Sequence, residues 1–166
     1  MIKLCLVSVS ALMVFGFAGC TQDSLSSEPQ NLPPSASVYD AKLVAKLGAD
    51  EYGMRSYVMV VLKTGPKDAE ITDADERAEI FKGHFSNMKT LAEAKKLVLS
   101  GPFIEGEGKR GLYIFNVATI PEAEELVQSD PAVAAGIFVP EFTKYYGSAA
   151  LMQIQEVHQT IQKTKI

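Results

Sequence analysis

The chain has few cysteines and histidines and no tryptophan. Its 166 residues include only two of each of the first two types. Two cysteines are too few for the disulfide framework of a small secreted domain. Two histidines provide few ligands for a transition-metal site, which typically takes three or four histidine, cysteine or carboxylate ligands. We therefore expect neither a disulfide scaffold nor a bound metal ion.

An excess of positive charge is also absent. The 16 lysine and arginine residues are outnumbered by 20 aspartates and glutamates, which gives a net charge of −4. Because phosphate binding needs a basic face, this balance argues against a nucleic-acid partner. The chain is 47% hydrophobic and 22% charged, a globular composition that excludes collagen, a coiled coil and wholesale disorder.

The amino-terminal sequence is typical of an export signal. Lys3 is followed by an apolar run from Leu4 to Phe17, shorter than the ~20 residues that a spanning helix needs. Ala18-Gly19-Cys20 then resembles a bacterial lipobox, which predicts a lipoprotein signal peptide over residues 1–19 and palmitate-type acylation at Cys20. The alternative is an ordinary signal peptide with an incidental cysteine. The lipobox predicts a lipid-anchored protein on the periplasmic side of the cell envelope.

The residues after Cys20 have the composition of a linker. Residues 20–37 are rich in serine and proline and contain few large apolar side chains. Such a segment cannot bury enough surface to offset its ordering entropy. We expect a flexible tether between the membrane and the folded domain.

The folded part alternates apolar runs with amphipathic segments. We predict a leading helix over 38–55, a ferredoxin-like domain over 56–147 and a C-terminal helix over 148–166. Within the domain the predicted elements are strand 56–64, helix 73–97, strands 98–104 and 111–118, helix 122–128 and strand 137–146. The order βαββαβ predicts an α+β, ferredoxin-like fold with an antiparallel sheet. Pro102 and Pro140 fall in the second and fourth strands, which are the edge strands of that fold, where proline is tolerated.

The predicted helix over 73–97 has an apolar stripe. Its members recur at spacings of three and four residues and are Ala78, Phe81, Phe85, Met88 and Ala92. This periodicity indicates an amphipathic helix that packs on the sheet.

The predicted strands are apolar on both faces. In the third strand, Leu112 and Ile114 point to one side while Tyr113 and Phe115 point to the other. One face packs on the helices, and the other needs a second cover, because a large exposed apolar face is unusual in a soluble monomer. We predict a homodimer. The alternative is that the C-terminal helix folds over this face.

Two side chains are candidates for acid–base chemistry. His84 lies beside the apolar stripe of the long helix, whereas His158 lies among polar residues and is expected at the surface. An imidazole titrates near neutral pH and suits general acid or base catalysis, but a histidine at a core edge often only bonds to backbone. Asp130 precedes Pro131 and either caps a turn or orients His84.

Other motifs are less specific. Gly101 and Pro102 mark either an edge kink or a close approach of backbone to a ligand. Tyr113 is a candidate pocket residue, although an aromatic at this position also suits the core. The glycines at 106, 108 and 111 do not form a phosphate loop, because they join two strands and no lysine–threonine pair follows. No G-x-S-x-G nucleophile motif occurs.

Taken together, several stretches between Tyr57 and Tyr146 resemble the YciI (YCII-related) family. They are Tyr57–Leu62, His84, Ala94–Phe103, Gly111–Phe115, Asp130–Gly136 and Tyr145–Leu151. The resemblance implies a ferredoxin-like dimeric α/β barrel with a histidine–aspartate pair in a cleft shaped by Gly101 and Pro102. Those roles map onto His84 and Asp130. Relatives often carry an aromatic where this chain has Ala132.

Two functional hypotheses follow. In the first, His84 and Asp130 catalyse proton transfer on a small cyclic or aromatic molecule, without a metal or an organic cofactor. In the second, the chain is a non-catalytic envelope protein that binds a small ligand in the same cleft. A tight His84–Asp130 contact facing an apolar pocket favours the enzyme, whereas a His84 bonded only to backbone favours the binding protein.

Overall fold

The computed structural model describes residues 38–164. Its elements, in chain order, are α1 (Ala41–Leu47), β1 (Met54–Thr64), α2 (Ala74–Glu93), β2 (Leu97–Pro102), β3 (Lys109–Phe115), α3 (Ile120–Gln128), α4 (Pro131–Ala134), β4 (Phe138–Ser148), a 3-10 helix (Ala149–Gln153) and α5 (Ile154–Ile161). The predicted signal peptide, the acylation site at Cys20 and the tether lie outside the described residues. None of the helices within residues 38–164 has the length and apolar character needed to cross a membrane.

The four strands form one antiparallel sheet in the order β2-β3-β1-β4. Val60 at the centre of β1 lies opposite Tyr113 of β3 on one side and Phe142 of β4 on the other. The predicted α+β, ferredoxin-like βαββαβ fold is thereby confirmed, as are the edge positions of the strands that hold Pro102 and Pro140. This is the subunit fold of dimeric α/β barrels. The pairing of two subunits stays a prediction.

Helix α2 begins where the sequence indicates and ends earlier than predicted. The Asp73 side chain caps it by accepting a hydrogen bond from the Glu76 backbone N–H at 2.8 Å. The predicted end at Leu97 is wrong, because Lys95 adopts a left-handed backbone conformation (φ 56°) that turns the chain out of the helix. Leu97 then belongs to β2, where it pairs with Phe115.

The main core lies between the sheet and helices α2, α3 and α4. Its buried residues are Val58, Val60, Leu62, Leu91, Leu97, Tyr113, Phe115, Val117, Ala123, Val127, Ala132, Ile137 and Phe138. The predicted stripe of α2 is correct at Phe81 and Met88 and wrong at Ala78 and Phe85, which are exposed. Ile80 and Leu91 pack on the core in α2 beside Phe81 and Met88, so the buried face is rotated from the predicted one.

The second face of the sheet carries a smaller apolar cluster. Tyr57, Val98 and Ile114 are buried there, and Leu151 and Met152 of the 3-10 helix pack against them. The C-terminal segment thus covers part of this face, as the alternative to a dimer expected. It leaves exposed surface on β4, where Val139 and Tyr145 keep 44% and 40% of their accessibility.

Both terminal helices are shorter than predicted. The leading helix spans 41–47 instead of 38–55, because Gly48 takes a left-handed conformation (φ 63°) and ends it. The C-terminal segment is not one helix over 148–166. Strand β4 runs to Ser148, which pairs with Met54, and a 3-10 helix precedes α5.

Candidate functional site

Asp130 lies at the start of the short helix α4. Its side chain caps this helix, since Oδ1 accepts a hydrogen bond from the Ala132 backbone N–H at 2.9 Å. Pro131 occupies the first helical position, where the missing N–H has no intrahelical partner to lose. The predicted turn at Asp130-Pro131 is therefore a one-turn helix. Its capping carboxylate is completely buried.

His84 of α2 contacts this carboxylate. Its Nδ1 lies 2.9 Å from Asp130 Oδ1 and 2.8 Å from Oδ2, across 46 positions of sequence. The imidazole is 6% exposed. Among the described residues its hydrogen-bond partners are side chains, not backbone groups. The structure thus brings together the two residues that the sequence singled out, while their catalytic roles stay predictions.

Tyr113 of β3 completes the cluster. Its hydroxyl donates a hydrogen bond to Asp130 Oδ2 at 3.2 Å. Burial, reinforced by the negative charge of Asp130, raises the pKa of the Tyr113 hydroxyl well above its usual range. Tyr113 therefore remains protonated and acts as a donor to Asp130, while its predicted role in binding stays a prediction.

The hydrogen bonds define which imidazole nitrogen is available. Asp130 accepts from the Ala132 backbone and from Tyr113, so its contact with His84 is also that of an acceptor. We therefore assign the proton of the neutral imidazole to Nδ1. This leaves Nε2, 3.4 Å from the Tyr113 oxygen, as the nitrogen with a lone pair.

A small cavity of about 320 Å³ lies beside the pair. Its lining is mostly apolar and consists of Leu62, Phe81, His84, Phe85, Met88, Gly101, Pro102, Phe103, Arg110, Gly111, Tyr113 and Phe138. The predicted site residues His84, Gly101, Pro102 and Tyr113 thus line one cavity, and Asp130 lies behind His84. Mostly apolar walls with a few polar groups are typical of small-molecule sites, and this volume lies near the lower end of their range.

Aromatic rings hold the imidazole of His84 in place. The rings of Phe81, Phe85 and Phe138 meet it edge-on, with centroid distances of 5.9, 5.3 and 5.4 Å. The Tyr113 ring stacks on it at 6.2 Å. Such packing fixes the ring plane, so that Nε2 keeps one orientation.

Gly101 leaves room at the edge of the cavity. It pairs with Leu112 in the sheet, and a Cβ built at Gly101 would have no heavy atom within 4 Å. Packing therefore does not require a glycine here. The predicted role of Gly101 in binding stays a prediction.

The sequence does not predict eight of the twelve residues that line the cavity, and Arg110 and Phe85 are the two of these that bear most on its chemistry. Phe85 is predicted in the apolar stripe of α2, and Arg110 has no predicted role. The position of Arg110 could have been predicted from the pairing of β2 with β3. Pro102 pairs directly with Gly111, which brings Arg110 beside the predicted binding residues.

A larger and more open groove of about 510 Å³ lies elsewhere in the domain. Its charged groups already have partners. Arg55 donates to the Leu47 carbonyl and the Asn116 side chain, and Asp50 accepts from the Tyr146 hydroxyl. These groups hold the fold together. Nowhere in residues 38–164 do three potential metal-ligating side chains form a cluster.

A close contact between α2 and α4 makes the His84–Asp130 pair possible. Gly83 faces Pro131, and a Cβ at Gly83 would lie 2.8 Å from Cγ of that ring. This distance is too short for a carbon–carbon contact, so a side chain at position 83 would push the two helices apart.

We expect Gly83→Ala to lower the free energy of unfolding by about 1–2 kcal/mol. Overpacking costs about 1–3 kcal/mol, and the higher helix propensity of alanine returns up to about 1 kcal/mol. Urea denaturation measures the change. The matched control Gly101→Ala, which meets open space, should leave stability nearly unchanged. Equal stability of Gly83→Ala and the parent chain would contradict the close contact.

Fold and site together define a small α+β domain with a buried histidine–aspartate pair beside an apolar cavity. Residues 57–141, slightly more than half of the chain, match the YCII-related domain. The chain belongs to this family, and the resemblance seen in the sequence is confirmed.

The chain is also similar to two known proteins. The chain is 29% identical to the uncharacterized protein YjpA of Bacillus subtilis (strain 168) over 83 residues, which cover 50% of this chain and 85% of that protein. It also resembles 5-chloro-2-hydroxyhydroquinone dehydrochlorinase (TftG) from Burkholderia phenoliruptrix AC1100, solved in complex with 2,5-dihydroxybenzoquinone. That similarity has a TM-score of 0.39 and 17% identity and covers 54% of this chain and 90% of that one.

Proposed function

We propose that this YCII-family chain is a small-molecule enzyme in which His84, oriented by Asp130, moves a proton on a cyclic or aromatic substrate. The observation that carries the proposal is the buried contact of 2.8 Å between Nδ1 and the carboxylate. It leaves Nε2 as the acceptor nitrogen of a side chain that lines an apolar cavity. A histidine bonded only to backbone would instead have favoured a binding protein.

The proposed step is a proton transfer within one substrate molecule. Nε2 takes a proton from a C–H or O–H group, and the electron pair of the broken bond stays on the substrate as an enolate or phenolate. The resulting imidazolium is paired with Asp130, which stabilises its charge. Return of the proton to another atom of the substrate gives isomerisation. In an elimination the electron pair instead expels a leaving group, which departs with its bonding electrons, and the imidazolium releases its proton to the leaving group or to water. Neither outcome requires electrons from elsewhere, so the proposal includes no cofactor.

Solvent deuterium provides the test. The full chain and its His84→Gln variant are each incubated in D₂O with a mixture of small organic metabolites, and mass spectrometry records every compound that gains deuterium or changes mass. We expect such a change with the parent chain alone. Compounds that bind to the parent chain while none changes would favour the ligand-binding alternative and contradict the proposal.

We also propose that the chain is anchored to the periplasmic side of the cell envelope through an acylated Cys20. The supporting observation is the sequence Ala18-Gly19-Cys20 after an apolar run. Two or more acyl chains anchor a protein stably, whereas a single chain is marginal. Cys20→Ser should move the protein from the membrane fraction to the soluble fraction, and an unchanged distribution would contradict the anchor.

We further propose that two copies associate through the second face of the sheet. The exposed Val139 and Tyr145 on this face support the proposal, because their side chains gain from burial. Sedimentation in detergent-free buffer after Cys20→Ser should give the mass of a dimer. A Tyr145→Lys variant should be monomeric, and a parent mass of one chain would contradict the proposal.

A further inference from the structure

Arg110 is the one positively charged side chain among the residues that line the cavity. It lies at the start of β3, and its guanidinium carbon is 5.6 Å from the centre of the Phe138 ring. The same ring contacts the imidazole of His84. Arg110 and His84 therefore border a single small space and contact the same aromatic ring.

The charges around Arg110 do not cancel. Asp68 accepts hydrogen bonds from both Arg77 and Arg110, so one carboxylate faces two guanidinium groups. The hydrogen bond from Arg77 lowers the pKa of Asp68, and the charge of Arg110 acts in the same direction. Asp68 is thus ionised at neutral pH, and the three side chains together carry a net positive charge.

The two arginines differ in how their donors are used. Arg77 also donates to the backbone carbonyls of Asp68 and Ile71, so three of its five N–H donors hold the loop before α2. Arg110 makes one hydrogen bond within residues 38–164, at 2.9 Å to Asp68, and a guanidinium has five N–H donors. Its side chain is 38% exposed and belongs to the lining of the cavity.

Charged groups of opposite sign lie at two places around the cavity. The buried Asp130 carboxylate lies behind His84, whereas the excess positive charge lies at Arg110. A negatively charged group on a ligand is repelled at the first end and attracted at the second. The apolar walls between the two ends accept a ring.

From this geometry we infer that Arg110 is the specificity residue of the site and selects a single-ring organic anion, whose carboxylate or comparable oxyanion binds its guanidinium while the ring faces His84. The inference rests on the proposed function, because it takes the bound anion to be the substrate of the enzyme. A guanidinium suits this role because it offers two parallel N–H donors to the two oxygens of a carboxylate.

Benzoate and benzamide are suitable probes, since they have the same shape and differ in charge. Calorimetric titration of the full chain should give benzoate about 10- to 100-fold tighter binding than benzamide, the range expected for a hydrogen bond to a charged group. Arg110→Gln should remove this preference, mainly by weakening benzoate binding. Arg110→Lys should keep part of it, because the charge remains.

Arg77→Gln tests the charge argument, because it removes no residue that lines the cavity but leaves Asp68 to Arg110 alone. The excess positive charge then disappears, so the preference for benzoate should decrease without being lost, since Arg110 itself remains. Equal affinity of the parent chain for both probes, no benzoate binding at millimolar concentration, or a preference that survives Arg110→Gln would each overturn the inference. These results are independent of turnover. A benzoate preference without deuterium transfer would overturn only the proposed function, and deuterium transfer without that preference only the inference.

Discussion

Replacing Asp130 with alanine is expected to lower the free energy of unfolding by about 3–5 kcal/mol, the usual cost of removing one partner from a buried polar pair. The change leaves three buried donors without their acceptor: His84 Nδ1, the Tyr113 hydroxyl and the Ala132 backbone N–H. Each unsatisfied buried donor carries its own desolvation cost. Because a domain of this size has a total stability of about 5–15 kcal/mol, the loss is large.

Asp73→Ala is the matched control for this measurement. Asp73 also caps a helix through its side chain, but it is exposed. Loss of an exposed cap typically costs about 1 kcal/mol. Chemical denaturation of the two variants under the same conditions therefore separates capping from the buried network, and equal losses would contradict the network. Asp130→Asn keeps the cap acceptor and gives a folded variant if the alanine variant does not fold.

Replacing His84 with glutamine is expected to reduce kcat/KM about 10²- to 10⁴-fold for the compound identified by deuterium transfer. General acid–base catalysis contributes factors of this size, and an amide does not titrate near neutral pH. His158→Gln is the control, because His158 is exposed on α5 and should retain full activity. Steady-state kinetics of both variants against the parent chain give the ratio.

Two outcomes of this comparison would contradict a role for His84 in proton transfer. The first is a His84→Gln variant with nearly parental kcat/KM. The second is a parallel loss in both variants, which would indicate an effect on stability or handling. Asp130→Asn provides a further check, since an amide in contact with Nδ1 favours the opposite tautomer and should lower kcat without raising KM.

The sheet was accessible to sequence reasoning because its signals are local. The β-branched run of β1 and the alternation in β3 define strands, and Pro102 and Pro140 identify the edges. The ends of the helices could not be predicted from the sequence in the same way, because left-handed backbone conformations at Gly48 and Lys95 end α1 and α2. The wrong assignment of Phe85 to the buried stripe has a different origin. Spacings of three and four residues fit two neighbouring faces of one helix, so periodicity alone does not identify the buried face.

The candidate site was accessible in part. His84 and Asp130 stand out as residue types, but their contact depends on how closely α2 approaches α4. That approach depends on Gly83 against Pro131, a pair of unremarkable residues 48 positions apart in the numbering. The inferred role of Arg110 depends on the fact that Arg77 and Arg110 share the single carboxylate of Asp68, which only the folded chain displays.

The protonation of His84 tests the central claim most directly. Long-range ¹H–¹⁵N correlation of the side chains is simple here, because the chain has only two histidines. At alkaline pH, where a free imidazole is neutral, we expect His84 to carry its proton on Nδ1 and to show an unprotonated Nε2, while exposed His158 shows a tautomer mixture. A proton on Nε2 of His84 under these conditions would contradict the account.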